Sequence, residues 1–188
     1  TIPVLKLKEV PLKFEFSNVP AGYDPAELNA SISPATIRIA GAADTVDGIE
    51  SVNAGFINLA RVQLGKAETL KIQLSEGLVN VDDVQEATVT FDTSGYGEPR
   101  AITVSDIRVV NAPSGVDVKV ITESINNVTL VGEAEELAAI SPSDVIAQVD
   151  ASAQNITVKG SGQQQFSAQI IVTGTKTVFA TGAYSVLC

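Results

Sequence analysis

The sequence has no histidine, no tryptophan and no methionine, and its one cysteine is the last residue, Cys188. These absences exclude a Ser/His/Asp triad, a Cys/His dyad, a His-ligated metal site and a disulfide framework, so most enzyme classes lose their usual tools. Basic residues are also scarce: 12 Lys and Arg stand against 22 Asp and Glu, for a net charge of -10 and a pI near 4.4. Phosphate neutralisation needs clustered Lys and Arg, so neither nucleic acid nor an anionic membrane surface is expected as the main partner. No apolar run approaches the roughly 20 residues of a membrane-spanning helix, and no basic-plus-apolar signal segment precedes Thr1. The chain is therefore read as soluble, with no membrane insertion of its own. With no Met to initiate it, it is read as an excised or processed piece, in which an anchor on the parent would not be visible. Cys188 has no partner in the chain and leaves the redox compartment open.

What is present is enough aliphatic residue for a core. Hydrophobic residues make up 45% and aromatics only 5%, so Val, Ile, Leu and Ala must do the packing. The 188 residues suit two domains of ordinary size. Strand-like alternation appears in Leu12–Phe16, Thr36–Ile39, Leu70–Leu74 and Ala87–Phe91, then in Ile102–Val110, Val128–Val131, Val145–Val149, Phe166–Val172 and Val178–Val186. Gly and Pro punctuate between them at Pro20–Gly22, Gly65, Glu76–Gly77, Pro113–Gly115, Gly160–Gly162 and Thr173–Gly174. Two segments, Ala43–Ile49 and Glu133–Ile140, are short, acidic at the start and preceded by Gly, and read as helices. The expected fold class is mostly β, with one short helix per half.

The halves repeat each other. Asn18-Val19-Pro20-Ala21-Gly22-Tyr23-Asp24 returns as Asn111-Ala112-Pro113-Ser114-Gly115-Val116-Asp117, keeping Asn, Pro, Gly and Asp in order. Thr36–Gly41 returns as Asn127–Gly132, and Val46–Ile49 as Leu137–Ile140, at a spacing of about 90 residues, too long for a solenoid repeat and long enough for each copy to own a core. The polar, Gly-rich stretch Asp92–Arg100 reads as a short linker, which puts the boundary near Tyr96 and gives copies at 1–95 and 96–188.

No motif carries catalysis. Asp92-Thr93-Ser94-Gly95 is one residue too long for an aspartic-protease turn and has no twin. Thr173–Thr177 lacks the Gly-Lys-Thr order of a phosphate loop and reads as a hairpin turn. Asp44, Asp47 and Glu50, with counterparts Glu133, Glu135 and Glu136, follow no calcium-loop spacing; a solvated face that complements the helix dipole accounts for them. Asp82 and Asp83 read as an exposed turn pair, and Asn-x-Ser/Thr at Asn29, Asn127 and Asn155 is common by chance. No cofactor and no metal is expected. Tyr23 lies in the repeated turn and is the candidate partner-contact residue; packing over its own sheet is the competing reading. Without a Trp/Tyr platform, glycan binding is not expected.

The segments Asn18–Asp24, Ser33–Gly41, Val46–Ile49 and Ile57–Leu59 together resemble the YbbR domain of bacteria. The second half resembles it through Asn111–Asp117, Val128–Gly132, Leu137–Ile140 and Val149–Asp150; it departs at Glu133, where the family often has Pro, and at Ala151, where Leu is usual. The resemblance implies two tandem small β-rich domains behind an N-terminal membrane helix of the parent, exposed on the extracytoplasmic face of the cell membrane. One branch, CdaR, is encoded beside the membrane diadenylate cyclase and regulates cyclic di-AMP synthesis by binding it. The implied role is thus a non-catalytic protein-interaction region whose partner is the diadenylate cyclase. The alternative is a passive spacer or cell-surface adhesion module.

Overall fold

Alternating apolar residues put Val10 and Leu12 on one face of the first strand and bury both, and this periodicity builds most of the molecule. The computed structural model describes residues 4–154, 156 and 162–188; Asn155 and most of the Gly160–Gly162 turn lie outside them. The elements are β1 (Lys6–Ser17), β2 (Ala30–Ser33), β3 (Thr36–Gly41), α1 (Ala43–Asp47), β4 (Val52–Asn58), β5 (Glu68–Lys71), β6 (Val79–Asn80) and β7 (Glu86–Phe91). They continue with β8 (Arg100–Val104), β9 (Asp106–Val110), β10 (Ile125–Val131), α2 (Ala134–Ala139), β11 (Val145–Asp150), β12 (Gln165–Val172), β13 (Phe179–Thr181) and β14 (Tyr184–Leu187). The fold is mostly β, as the apolar alternation led us to expect, with two short α-helices among the described residues.

The chain divides into two compact units. Unit 1 takes the chain up to Ser17, Leu28–Asn58 and Val62–Thr93; unit 2 takes Asn18–Glu27, Leu59–Arg61 and Ser94–Cys188. Unit 1 holds a sheet ordered β4-β1-β3-β6 and a second ordered β2-β7-β5. Unit 2 holds β13-β10-β8 and β14-β12-β11-β9. The core of unit 1 is built on Val10, Leu12, Ile37, Ile39, Val52 and Ala87. That of unit 2 centres on Val104, Val128, Leu130, Val145, Ala147 and Val149, each completely or almost completely buried.

The same ladder recurs in both units. β1 runs antiparallel to β3 and parallel to β4, and β3 pairs antiparallel with β6. In unit 2, β8 runs antiparallel to β10, β9 parallel to β11, and β10 antiparallel to β13. The register fixes the residue equivalence: Lys8 faces Ile39 as Arg100 faces Leu130, and Val79 faces Ala40 as Phe179 faces Val131. One strand of the first unit, β1, thus corresponds to β8 and β9 together.

Each helix follows a strand-terminal Gly that has no room for a side chain. A Cβ on Gly41 would sit 3.0 Å from the Gly77 carbonyl oxygen, and one on Gly132 only 2.5 Å from that of Thr177. The Thr173–Thr177 segment links β12 to β13, which lie in different sheets, so it is a crossover and not the hairpin its sequence suggests. Glu136 on α2 holds it by accepting hydrogen bonds from the hydroxyls of Thr175 and Thr177.

Candidate interaction surfaces

The repeated Asn-x-Pro-x-Gly-x-Asp segment folds as the same turn twice. Asn18 and Asn111 both take the left-handed conformation, at φ of 51° and 53°, and Gly22 and Gly115 both have positive φ, at 87° and 81°. The Tyr23 amide donates to the Pro20 carbonyl at 3.2 Å, and the Val116 amide to that of Pro113 at 3.0 Å. Asn tolerates the left-handed region and Gly enters it without steric cost, so local chemistry accounts for both turns.

Their surroundings differ. In unit 2 the Asn18–Glu27 segment is packed in: the Asp24 amide donates to the Lys176 carbonyl at 3.5 Å, and the Gln169 side chain to that of Val19 at 3.4 Å. Pro20 is buried, and Tyr23 is only 7% exposed. The Tyr23 ring lies 4.4 Å from that of Phe179, tilted at 46°, an offset arrangement favourable for aromatic pairs. Among the described residues the buried hydroxyls of Tyr23 and Tyr96 have no hydrogen-bond partner. Burial holds the Tyr23 phenol far above its usual range, so it stays neutral. By contrast every residue from Asn111 to Asp117 is exposed.

A second surface lies on unit 1. Leu7, Ala40 and Val79 face one another across β1, β3 and β6, on the side of the sheet away from Val10 and Ile39. Leu7 is 55% exposed and Val79 52%, with Leu5 and Val81 exposed beside them. In the next cross-strand row Arg38 pairs with Asp82, donating from Nε to Oδ1 at 2.7 Å. Asp82 is thus an ion-pair partner and not merely a solvated turn residue, and its carboxyl is held below the usual range by those hydrogen bonds. The signal for this surface was a parity change: Leu5 and Leu7 are odd-numbered, whereas the buried Val10 and Leu12 are even, which makes β1 apolar on both faces.

An open groove of about 460 Å³ in unit 1 runs between the end of α1, the start of β4 and Gln73–Ser75. Glu50 is the one ionisable residue among those lining it, so it assembles no acid–base pair. Among the described residues no three His, Cys, Asp or Glu come together as a metal-ion site, and no helix is long and apolar enough to cross a membrane. Cys188 is buried, and burial raises its thiol pKa.

The family model of YbbR-like proteins matches residues 10–105, just over half of the chain. The chain belongs to the YbbR-like family. Among solved structures it is similar to a YbbR-like protein from Streptococcus pneumoniae TIGR4, at 16% identity and a TM-score of 0.33, over 100% of this chain and 96% of that one. It is also similar to SuR18C from Streptococcus thermophilus, at 20% identity and a TM-score of 0.37, over 48% of this chain and 89% of that one. Comparison with curated proteins finds no match. The matched stretch of this YbbR-like chain contains the Tyr23 turn, the apolar face around Leu7 and Val79 except Leu5 and Leu7 themselves, and the groove beside α1.

Proposed function

We propose that this YbbR-like chain is a non-catalytic protein-interaction region of a membrane-anchored bacterial protein, held on the extracytoplasmic side, where it regulates a diadenylate cyclase. The observation that carries the reading is the family match over residues 10–105, supported by the resemblance of segments in the second half to the same family. We read both units as YbbR-like. Regulation then requires that binding differ between two states of the cyclase assembly, since a partner that binds both equally shifts nothing.

The test is retention of the cyclase on this chain. The chain, tagged at its C-terminal end, is incubated with detergent-solubilised membranes containing the diadenylate cyclase of the same bacterium. Retention of the cyclase, together with a change in cyclic di-AMP output when the units are deleted from the parent protein, is the expected result. If the cyclase is not retained and output is unchanged by the deletion, the regulatory reading fails and a passive spacer or adhesion module takes its place. Where the cyclase is retained, substitutions in the turn containing Tyr23 and on the Leu7–Val79 face locate the contact.

A further inference from the structure

We infer that this chain associates head to tail with a second copy of itself, the exposed Asn111–Asp117 turn of one copy seating on the exposed Leu7–Val79 face of the next. The inference does not depend on the cyclase reading. It rests on an unmatched pair of surfaces that the two units reveal when compared residue by residue.

In unit 2 the pair is satisfied. Phe179, outside the main core cluster of its unit, is 1% exposed, with the ring of Tyr23 from the Asn18–Glu27 segment against its own. Val131, opposite Phe179, is 7% exposed. By strand register, Val79 is the counterpart of Phe179 and Ala40 that of Val131. In unit 1 Ala40 is 9% exposed, much as Val131 is, but the Val79 position is bare: Val79 is 52% exposed, with Leu5, Leu7 and Val81 exposed around it. The covering turn is also present a second time and bare. Val116, the counterpart of Tyr23, is 40% exposed at the tip of a turn whose backbone matches that of the buried one.

One copy of the chain therefore carries one satisfied turn-on-face arrangement and both halves of an unsatisfied one. The spare turn and spare face are different surfaces, so joining them is a heterologous contact that propagates from copy to copy or closes as a ring. Apolar side chains in adjacent cross-strand positions form the sort of patch that marks an interaction surface. Two Val side chains bury less area than the Tyr23–Phe179 pair, and a charge of -10 on each copy opposes approach, so association is concentration-dependent and strengthened by salt.

Sedimentation velocity on the whole chain, up to about 1 mM and at about 0.15 and 0.5 M salt, reads the result. The wild-type chain is expected to give species larger than monomer that grow with concentration. Val79→Asp and Val116→Asp are each expected to sediment as monomer, with urea midpoints unchanged because both positions are exposed. The deciding sample is an equimolar mixture of the two variants. One retains a working turn and the other a working face, so the mixture is expected to form 1:1 dimers and nothing larger. A wild-type chain that stays monomeric, a variant that associates as wild type does, or a mixture that stays monomeric would each overturn the inference.

Discussion

Lys8 and Arg100 do the same task in different units. Lys8 donates from Nζ to the carbonyl oxygens of Val46 at 3.4 Å and Ile49 at 2.6 Å, and Arg100 donates from one guanidinium nitrogen to those of Leu137 at 3.1 Å and Ile140 at 2.7 Å. Val46 and Ile49 correspond to Leu137 and Ile140 in the sequence repeat, so a strand cation in each unit satisfies the carbonyls left over at the end of its short helix. Helices this short have little stability of their own, and the cation ties each to its sheet.

Arg100→Met is therefore expected to lower the stability of the chain by about 2 kcal/mol, since a hydrogen bond to a charged donor contributes about 1.5–3 kcal/mol. Arg100→Lys should restore part of the loss, because Lys8 makes the corresponding contacts with a single ammonium. Urea denaturation of the three proteins checks this; equal midpoints for wild type and Arg100→Met would show that the contacts contribute nothing.

Glycine substitutions should separate steric from conformational cost. Gly132→Ala brings a Cβ within 2.5 Å of a carbonyl oxygen and 2.8 Å of the Val178 Cα, and since backbone atoms cannot step aside we expect a loss of about 3 kcal/mol or more. Gly115→Ala meets nothing within 4 Å and bears only the penalty of φ +81°, about 1 kcal/mol. Thermal unfolding should rank Gly132→Ala well below Gly115→Ala.

Glu136 supplies a pH dependence. Hydrogen bonds from the Thr175 and Thr177 hydroxyls hold its carboxyl below the usual carboxylate range. A folded-state value below the unfolded one means that its contribution is fully present above the unfolded pKa, about 4.3, and is lost as pH falls through the folded value. Glu136→Gln is thus expected to be less stable than wild type at pH 7, with the gap closing toward pH 3. Urea midpoints across that range check the sign; a constant gap would assign the effect to packing.

Tyr23→Phe tests the buried hydroxyl. Among the described residues the buried Tyr23 oxygen has no hydrogen-bond partner, so removing it should leave stability unchanged or raise it by up to about 1 kcal/mol. Phe179→Ala removes the ring beneath and is expected to cost about 3–5 kcal/mol. A destabilised Tyr23→Phe would reveal an unseen partner for the hydroxyl, such as an ordered water, and guanidinium titrations at equal protein concentration distinguish the cases.

Strand positions were written locally. Apolar alternation set the β-rich class and most strand positions, and two Gly-preceded acidic segments set α1 and α2 within a residue or two. Ile102–Val110 and Val178–Val186 each look like one strand but are two, because each is shared between two sheets. Alternation records which side chains are apolar and not which neighbour receives them.

The sequence alone determined the two identical turns, since Asn and Gly at fixed spacing admit the positive φ angles wherever the segment stands. It equally determined the family, through motifs whose order and spacing need no partner. Only the tertiary structure decided that Tyr23 is enclosed while Val116 is bare, and that Phe179 is covered while Val79 is not. The physical reason is that a turn's conformation is set by the dihedral preferences of a few adjacent residues, whereas its burial is set by residues such as Phe179, more than 150 positions away along the chain.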